Sequence, residues 1–460
     1  MVRHPRILPT GVRATPAYSG LVSEFPYSRL RRWPDVEADN LQAYDATDLL
    51  LVERALSLDI PGSETAVIGD DYGAITLALT AAGRHGIRVH QDLATGRRAL
   101  QRNAEELGLA GLRGAAGRNG DEDEAARRVE EHHADGEADG LGFRTPFTAH
   151  ELDAELLSGA RLVLLQLPKS LAELEEIADA VARWAASDVV LIAGGRVKHM
   201  TLSQNEVLGR SFAHVQPQRA ERKSRLIVAS DPRTVPAEPP FPVSAPHDGL
   251  TLVAHGGAFA GARLDIGTRV LLEVLGLDGA QLLKNAPDRG EKRSKAPEND
   301  GSSGVVNGDR ASRVLDLGCG TGALAVSYAL AHPEAQVIAS DRSAAAVASA
   351  RATAAANGVA DRVTVMHDDA ASEVPDASID VVLLNPPFHL GTSVHTGAAT
   401  RLFEAAARVL RPGGELFTVY NSSLGYRAEL TRLIGATEQV ERTPKFTVTR
   451  SIRSSETPDS

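Results

Sequence analysis

The two halves of this 460-residue sequence repeat one pattern of apolar strands and helices. In the second half, Gly322 precedes Asp341 by nineteen residues, and in the first half Gly73 precedes Asp92 by the same nineteen (341 − 322 and 92 − 73). Each glycine opens a predicted helix after one strand, and each aspartate ends the next strand. Alternating strands and helices build a parallel sheet covered by helices. The repeat therefore predicts two tandem copies of one Rossmann-like α/β fold.

Apolar runs and helical periodicity place the elements of both copies. In the first half we predict strands at 65–69, 87–90, 162–167, 189–193 and 226–229, and helices at 45–58, 74–82, 97–107 and 171–184. In the second half we predict strands at 313–317, 336–340, 363–367, 379–384, 414–420 and 445–450. Its helices are predicted at 323–331, 344–357, 398–410 and 426–433, after a Gly-rich loop and helix within 255–275.

Composition shifts divide and interrupt this pattern. Residues 231–248 are rich in proline and indicate a linker between a first domain, 1–240, and a second, 249–460. Residues 113–140 and 284–311 are charged or Gly- and Ser-rich and have no apolar period, so we predict two disordered insertions. Without them, each domain has the length of an ordinary α/β unit.

The stretch Asn385-Pro386-Pro387-Phe388 follows a buried strand of the second copy. Neither proline has an N–H, so the loop cannot tie its carbonyl groups into a helical turn. A side-chain amide, outward carbonyls and an aromatic ring therefore meet at a strand end. Acceptors beside a stacking surface suit a planar group that bears an –NH2, which makes Asn385, Pro386 and Phe388 the predicted catalytic residues.

A Gly-rich turn and strand-end acids precede this stretch. Asp316 ends one strand just before a turn that contains Gly318, Gly320 and Gly322, where glycine allows close backbone approach and a helix N-terminus attracts an anion. Asp341 ends the next strand, where a carboxylate accepts hydrogen bonds from ribose hydroxyls. The following strand ends in Asp368 and Asp369, where a carboxylate accepts from an adenine amino group. Together these predict a nucleoside site.

The two copies differ at these positions. Aligned on Gly73 and Gly322, the second copy's residues are replaced in the first as follows: Asp316 by Val67, Gly320 by Asp71, Asn385 by Gln166 and Phe388 by Lys169. A carboxylate and a tight glycine are lost, and a negative charge enters the turn. We therefore expect a first copy that keeps the fold and has lost catalysis.

The charge distribution leaves nucleic acid open as a partner. The formal net charge of −11 argues mildly against it, but the basic residues cluster. Residues 1–34, predicted to be a loosely packed arm, carry Arg3, Arg6, Arg13, Arg29, Arg31 and Arg32. A second run carries Arg196, Lys198, His199, Arg210, Arg219, Arg222, Lys223 and Arg225. A solvated arginine-rich face explains either run as well as a nucleic-acid surface does.

Cysteine use and hydropathy indicate the compartment. Cys319 is the one cysteine, so no internal disulfide forms, and no apolar run approaches membrane-spanning length. The start of the chain does not have the pattern of a signal peptide. We therefore expect a cytoplasmic protein with no membrane partner, and we assign no metal ligand. We expect Cys319 to be a small turn residue and not a nucleophile.

At these motifs the second half resembles the class I S-adenosylmethionine-dependent methyltransferases. The Asn-Pro-Pro-Phe-His run, preceded by Phe259 to Thr268, resembles the bacterial ribosomal RNA guanine-N2 methyltransferases of the tandem-domain type, in which the N-terminal copy is inactive. The segments 41–48 and 193–199 are closer to the large-subunit enzyme than to the small-subunit one. The resemblance covers most of the chain outside the two inserts and implies two tandem methyltransferase domains, the first degenerate.

The resemblance implies S-adenosyl-L-methionine as cofactor and ribosomal RNA, free or in a subunit particle, as partner. Asp265 and Thr268 are expected to close over the cofactor. Asn385 and Pro386 would accept the two hydrogens of the amine, and Phe388 would stack on a base flipped out of its helix. This chemistry is mostly positioning and requires no general base with a shifted pKa.

Two other functions remain open at this point. Asn-Pro-Pro-aromatic motifs also serve adenine N6 and protein glutamine amides, so the motif alone does not select guanine. A non-catalytic RNA-binding assembly factor is the third hypothesis, against which the intact second-copy motif argues. The duplicated architecture and the Phe-His ending favour guanine N2. The oligomeric state, the nucleotide and the form of the RNA substrate are not determined by the sequence.

Overall fold

The computed structural model describes residues 24–38, 40–110, 146–247, 249–277, 312–387 and 396–455. The predicted insertions at 113–140 and 284–311 lie outside the described residues. The chain divides into two compact units. The first contains residues up to Gln91, Gly96–Leu167 and Ala180–Thr234, and the second contains Asp92–Thr95, Pro168–Asp179 and the residues from Val235 onward.

Short apolar runs form the seven-stranded sheet of the first half. Its strands are β1 (Thr65–Ile68), β2 (Ile87–His90), β3 (Phe147–Ala149), β4 (Leu162–Gln166), β5 (Val190–Arg196), β6 (Phe212–Pro217) and β7 (Ser224–Pro232). Its helices are α1 (Ala46–Leu56), α2 (Ala74–Ala81), α3 (Ala94–Glu106), α4 (Ala154–Leu157), α5 (Leu171–Trp184) and α6 (Leu202–Ser211). Strands β1 to β5 are parallel, and all of them except the edge strand β3 are largely buried, whereas β7 runs antiparallel to β5 and β6.

The second half builds its own seven-stranded sheet after a hairpin of β8 (Val243–His247) and β9 (Leu250–Ala254). The sheet contains β10 (Arg313–Leu317), β11 (Gln336–Asp341), β12 (Val363–His367), β13 (Ile379–Leu384), β14 (Leu410–Asn421), β15 (Thr437–Arg442) and β16 (Phe446–Ile452). The helices are α7 (Ile266–Val274), α8 (Ala323–Ala331), α9 (Ala344–Ala356), α10 (Thr396–Val409) and α11 (Arg427–Leu433).

Sheet topology confirms the duplication. The first sheet has the order β3-β2-β1-β4-β5-β7-β6, and the second has β12-β11-β10-β13-β14-β16-β15. Replacing each strand by its counterpart turns one order into the other, including the final antiparallel hairpin. In both sheets a glycine in the left-handed region, Gly73 or Gly322, begins the helix after the first central strand. Two tandem Rossmann-like domains are therefore present.

The elements that the sequence did not predict are mostly exposed. Strands β6 and β15 lie at sheet edges with few buried residues, so neither has an apolar run or a clean alternation. Helix α6 and strand β3 were also missed, and α3 begins three residues before the predicted Arg97. The predicted linker 231–248 is wrong in part, because its residues 243–247 form β8.

The described part of the N-terminal arm is packed and not loose, which corrects the prediction. Phe25, Tyr27 and Leu30 are buried in the first core. The buried Asn103 holds Arg31 at both backbone groups, with its Oδ1 accepting from the N–H at 2.9 Å and its Nδ2 donating to the carbonyl at 2.9 Å. The arm therefore contributes to the fold from Phe25 onward. In the part of the chain that the structure describes, no helix is long and apolar enough to cross a membrane.

Candidate active site

The carboxyl edge of the second sheet gathers the predicted motif residues. Leu317 at the end of β10 pairs with Leu384 at the end of β13, so the Gly-rich turn and Asn385 begin side by side. Strand β11, which ends at Asp341, lies on the other side of β10. The chain leaves β10 toward β11 and later returns on β13, so the edge between them is the switch point where ligands bind in open α/β sheets.

Three glycines shape the turn after β10. Gly318, Gly320 and Gly322 have φ values of +78°, +53° and +79°, a region that side chains other than glycine rarely adopt. A Cβ added at Gly318 or Gly320 would meet no atom within 4 Å, whereas one at Gly322 would lie 3.0 Å from the Ala350 Cβ. The first two glycines thus open toward the pocket, and the third allows helices α8 and α9 to approach.

Asp341 holds the Gly-rich turn in place. Its Oδ2 accepts the Gly320 N–H at 2.9 Å, and its Oδ1 accepts the Ser343 N–H at 2.9 Å. Burial raises the pKa of this carboxyl, and the two backbone donors oppose that rise. Each carboxylate oxygen can accept a second hydrogen bond, so Asp341 retains capacity for a pair of hydroxyl donors such as a ribose diol.

Asp316 is a buried acid beneath the same turn. Its Oδ2 accepts the Ala325 N–H of α8 at 3.0 Å. Burial, opposed by the Ala325 hydrogen bond and assisted by the nearby Asp341 charge, raises the pKa of Asp316 to about 7. A nearby cationic ligand stabilises the ionised form of such a buried carboxyl. Burial also raises the pKa of the Cys319 thiol well above its usual range, which agrees with a structural turn residue.

The amide of Asn385 has a fixed orientation. Its Nδ2 donates to Asp265 Oδ2 at 3.0 Å and to Thr268 Oγ1 at 2.9 Å. Because a carboxylate only accepts hydrogen bonds, the group that faces Asp265 must be the amide NH2. Asn385 Oδ1 is therefore directed elsewhere, and it is buried without a hydrogen-bond partner among the described residues. A buried acceptor without a hydrogen bond lowers the stability of the folded protein unless a ligand donates to it.

The start of α7 is built to hold this amide. Asp265 is the N-cap residue, and its Oδ2 also accepts the backbone N–H groups of Gly267 at 2.9 Å and Thr268 at 3.3 Å. That single oxygen therefore accepts three hydrogen bonds, two from the helix backbone and one from the Asn385 amide. A Cβ at Gly267 would lie 3.2 Å from Asn385 Oδ1, so glycine at this position lets the helix approach the amide closely.

The two acids after β12 have different partners. Asp368 accepts the Ser372 hydroxyl at 2.5 Å and the Glu373 N–H at 2.8 Å, so its carboxylate caps the following turn. The Asp369 carboxylate pairs with the Arg401 guanidinium of α10. Both acids are buried. Arg401 was not predicted, since only the folded chain brings α10 beside the end of β12.

A pocket joins most of the predicted residues. It is lined by Asp265, Thr268, Asp316, Gly318, Gly320, Asn385 and Pro386, together with Phe259, Ala260, Arg263, Leu264, Cys319, Thr321, Ala323 and Leu324. Gly322, Asp341, Asp368 and Asp369 lie outside its lining, and Phe388 lies outside the described residues. Phe259 is 68% exposed. Phe259 and Arg263 belong to the motif from Phe259 to Thr268, but the sequence did not predict them as site residues. Their position at the pocket is visible only in the folded chain.

The equivalent turn in the first unit carries large and charged side chains. Tyr72 occupies the turn before Gly73, with the Arg32 guanidinium 4.6 Å from its ring centroid. The Tyr72 hydroxyl donates to Asp35 Oδ2 at 2.7 Å. Aligned on Gly73 and Gly322, Asp71 stands at the place of Gly320 and Tyr72 at the place of Thr321. The first unit therefore has side chains in the turn where the second unit has an open glycine.

The first unit retains the scaffold of the site without its open acceptor. The Gln166 amide donates to Asp48 in the first turn of α1, as Asn385 does to Thr268 in the first turn of α7. Asp48 and Gln166 are thus paired with each other. Burial raises the pKa of Asp48 well above its usual range, and the nearby Asp70 charge raises it further.

The donor set in the second unit fits a nucleoside cofactor that carries a cation. The open glycine turn gives room for close backbone approach, Asp341 suits hydroxyl donors, and Asp316 suits a positive charge. The described residues contain no cluster of three or more His, Cys, Asp and Glu side chains arranged to hold a metal ion. The fold, the glycine turn at the switch point and the Asn-Pro-Pro strand end define an S-adenosylmethionine-dependent class I methyltransferase.

Comparisons with known proteins give the family. The model of the methyltransferase small domain matches residues 304–450, and that of the RLMG N-terminal domain matches residues 20–115 and 142–233. Ribosomal RNA large subunit methyltransferase G of Streptomyces avermitilis is 34% identical over 435 residues, covering 92% of this chain and 96% of that protein. The protein of the same name from Pseudomonas putida is 32% identical, covering 93% and 98%. The chain belongs to the ribosomal RNA large subunit methyltransferase G family.

A solved structure has the same fold. The 16S rRNA N2 methyltransferase of T. thermophilus, determined in complex with AdoMet and guanosine, matches with a TM-score of 0.60 at 21% identity. The match covers 89% of this chain and 92% of that one. It supports the tandem methyltransferase fold found here.

Proposed function

We propose that this chain transfers a methyl group from S-adenosyl-L-methionine to the exocyclic N2 of a guanine in large-subunit ribosomal RNA. The observation that carries the proposal is the buried Oδ1 of Asn385, an acceptor without a partner beside the glycine turn. An amine that donates to it would satisfy its hydrogen-bonding capacity. The names of the Streptomyces and Pseudomonas relatives support large-subunit RNA, and that of the T. thermophilus neighbour supports N2 of guanine.

We assign the cofactor to the pocket of the second unit. Gly318, Gly320 and Gly322 would form its cradle, Asp341 would accept from the ribose hydroxyls, and Asp316 would face its positive charge. Asp369 would accept from the adenine amino group beside its ion pair with Arg401, whereas Asp368 uses both carboxylate oxygens to cap its own turn. Asp265 and Thr268 line the same pocket and form its other wall. When bound, the cofactor supplies an electrophilic methyl group on a sulfonium ion.

The chain's own groups would orient the amine. Asn385 Oδ1 accepts one N–H, and the Pro386 carbonyl, which accepts no hydrogen bond from the described residues, accepts the other. Holding both hydrogens turns the nitrogen lone pair toward the glycine turn, where the methyl group is presented. Phe388 would stack on the target base. Neither acceptor is a base, so the proton released after transfer goes to solvent.

The two domains would have different roles. We assign catalysis to residues 249–460, and we assign RNA binding and structural support to the degenerate domain 1–240. The side chains of Asp71 and Tyr72 in the turn before Gly73, with Tyr72 held by Arg32 and Asp35, support a first domain that holds no cofactor. A ribosomal RNA substrate supports a cytoplasmic location.

One experiment tests the proposal directly. N2-methylguanosine is mapped in both ribosomal RNAs from cells with and without this protein, by mass spectrometry of nuclease digests. We expect one large-subunit guanine to lose its modification, and complementation with the wild-type chain to restore it. A complete set of N2-methylguanosines in cells without the protein would refute the proposal. Loss of a small-subunit site would refute the assignment to the large subunit.

A further inference from the structure

A strained turn carries two basic residues at the tip of the β6–β7 hairpin. Glu221 and Ser224 exchange both backbone hydrogen bonds at 2.8 Å, so Arg222 and Lys223 form a two-residue loop. Their φ values are +49° and +62°. Positive φ at both central positions defines a type I′ turn, which strongly prefers Asn-Gly. Arginine and lysine fit this backbone poorly, and such local strain persists most often at functional sites.

Further cations lie beside this turn. Arg196 at the end of β5 pairs with Ser224 at the start of β7, and the next N–H along the chain, that of Val197, donates to the Lys223 carbonyl at 3.0 Å. The short 3-10 helix Val197–His199 therefore lies against the hairpin tip. We call the five cationic or ionisable residues assembled here the basic tip: Arg196, Lys198, His199, Arg222 and Lys223.

The basic tip is accessible. Lys198, His199, Arg222 and Lys223 are exposed, and Arg196 is partly exposed. Arg222 contacts Glu53 at 2.8 Å with half of its side chain still exposed, and Arg196 lies 3.8 Å from Asp45. Exposed pairs of this kind contribute little to stability. Lys198 and Lys223 have no ion pair among the described residues. Three acids, Glu53, Asp45 and the exposed Glu221 of the turn itself, thus lie beside five basic or ionisable side chains, so cations still outnumber acids on this surface.

The second unit lacks this feature at the equivalent place. Its 3-10 helix is Ser422–Leu424, and the Ser422 N–H donates to the Lys445 carbonyl at 2.9 Å, as Val197 does to Lys223. Counterparts by this register are Asn421 for Arg196, Ser423 for Lys198, Leu424 for His199 and Pro444 for Arg222. Neither Pro444 nor Lys445 has a positive φ. The strained basic turn and its neighbouring cations belong to the degenerate unit alone.

We propose that the basic tip binds the sugar–phosphate backbone of the RNA substrate. A polyanion explains why cations occupy a turn whose geometry favours Asn-Gly, and why the fold's other copy keeps only one of these cations, Lys445 at the place of Lys223, without the positive φ. Register places the tip beside the end of β4, since Gln166 pairs with Gly194 two residues before Arg196. The degenerate unit thus presents charge at the edge where its sister unit presents the catalytic loop. The inference rests on the proposed function for the identity of the RNA.

The test replaces the two strained residues by those that the turn prefers. The full-length Arg222→Asn/Lys223→Gly variant removes two charges and relaxes the backbone. Binding to protein-free large-subunit ribosomal RNA, extracted from cells that lack this protein, is measured from 0.05 to 0.5 M salt. Each phosphate contact contributes about 0.7–0.9 to the slope of log affinity against log salt. We expect the slope to fall by about 0.7–1.8 and the affinity at 0.1 M salt to fall roughly 5- to 60-fold.

Stability and a matched variant separate binding from folding. The melting temperature should rise, because Asn-Gly relieves the turn, and the affinity for S-adenosylmethionine should stay unchanged. The control, Arg351→Gln/Arg432→Gln, removes two exposed charges from the second unit and should leave the salt slope nearly unchanged. Unchanged RNA affinity in the tip variant, an equal loss in the control, or a loss accompanied by a lower melting temperature would each refute the proposal.

Two outcomes distinguish this inference from the proposed function. A wild-type chain that methylates no large-subunit RNA, combined with a lower salt slope in the tip variant, refutes the proposed function and supports the basic tip. Loss of binding to large-subunit particles with full binding to protein-free RNA assigns the tip to an acidic protein and refutes the inference.

Discussion

At the scale of single residues, the orientation of one amide governs the chemistry. Asn385 has two acceptors for its NH2 group, Asp265 and Thr268, and none of the described residues donates to its Oδ1. An asparagine without these anchors would expose donor and acceptor alike to an incoming amine. The helix that begins at Asp265 therefore selects the acceptor face of the amide before any substrate binds.

Substitutions at Asn385 and Thr268 separate the acceptor from its anchor. We expect Asn385→Ala to lower kcat about 10²- to 10³-fold, as loss of a preorganised hydrogen bond does in other sites, with little change in S-adenosylmethionine affinity. Thr268→Val should lower kcat about tenfold, because the amide loses one anchor, with KM for RNA nearly unchanged. Thr268→Ser should restore the rate. Steady-state methylation kinetics and cofactor titration measure both, and full activity in Asn385→Ala would contradict the acceptor role.

The buried Asp316 should make cofactor affinity depend on pH. Its pKa is raised to about 7 by burial, so the carboxyl is mostly neutral at pH 6 and mostly ionised at pH 8. A bound cation favours the ionised form, so affinity for S-adenosylmethionine should increase with pH, by up to about tenfold across this window. Binding below pH 7 should also release a proton.

Calorimetry in buffers of different ionisation enthalpy measures that proton release. Asp316→Asn is the control, since it keeps the shape of the side chain and cannot titrate. The variant should bind more weakly and with a flat profile between pH 6 and 8. An equally steep profile in the variant would assign the pH dependence to another group.

At the scale of elements, the two copies satisfy the same helix N-terminus in different ways. In the second unit Asp316, within β10, accepts the Ala325 N–H. In the first unit the strand position is Val67, and Asp70 in the loop accepts the Thr76 N–H at 2.7 Å, the donor equivalent to Ala325. The helix of the first unit thus still has a carboxylate acceptor, Asp70, because the first N–H groups of a helix need acceptors. The strand position that carries Asp316 in the second unit has no carboxylate in the first.

The turn glycine Gly322 should be required for packing as well as for backbone geometry. A left-handed residue with a side chain costs roughly 1–2 kcal/mol, and the Cβ of Gly322→Ala would also lie 3.0 Å from the Ala350 Cβ. Gly413→Ala is a matched control, since Gly413 has a φ of +78° and open space around it. Urea unfolding should show a larger loss for Gly322→Ala, by about 1 kcal/mol or more, and equal losses would contradict the packing role.

At the scale of the whole molecule, duplication has separated one fold into two specialised copies. The second unit keeps an open glycine turn and a directed acceptor, whereas the first has Asp71 and Tyr72 in that turn, with Tyr72 in contact with Arg32 and Asp35. The first unit instead carries the basic tip. The formal net charge of −11 is compatible with an RNA partner because the basic tip concentrates cationic side chains on one small surface of the first unit.

Calorimetric titration of the full chain tests this division. We expect one S-adenosylmethionine per chain, because the turn before Gly73 has Asp71 and Tyr72 where the second unit has Gly320 and Thr321. Asp341→Ala should weaken that single site markedly without revealing another, since Asp341 holds the Gly-rich turn and is the residue that we propose for the ribose hydroxyls. Two sites per chain, or binding that survives in Asp341→Ala with its affinity intact, would contradict a cofactor-free first unit.

The sequence by itself determined the fold, the duplication and the family of chemistry. Buried parallel strands have apolar runs that need no tertiary information to be recognised, and glycines with obligatory positive φ mark the turns. The repeat at Gly73 and Gly322, and the strand before Asn385, were predicted within a few residues for this reason. The substitutions of Asp316, Gly320, Asn385 and Phe388 in the first copy also predicted that this copy lacks the catalytic motif.

Only the tertiary structure decided which groups meet. The anchors of Asn385 lie more than a hundred positions earlier in the chain, and Arg401 approaches Asp369 only when α10 packs beside β12. The edge strands β6 and β15 have few buried residues, so no apolar pattern in their sequences predicts them. Contacts between distant segments depend on register and packing, and no local pattern encodes either. The strain at Arg222 and Lys223 could not be predicted from the sequence either, because it arises only when β6 and β7 pair.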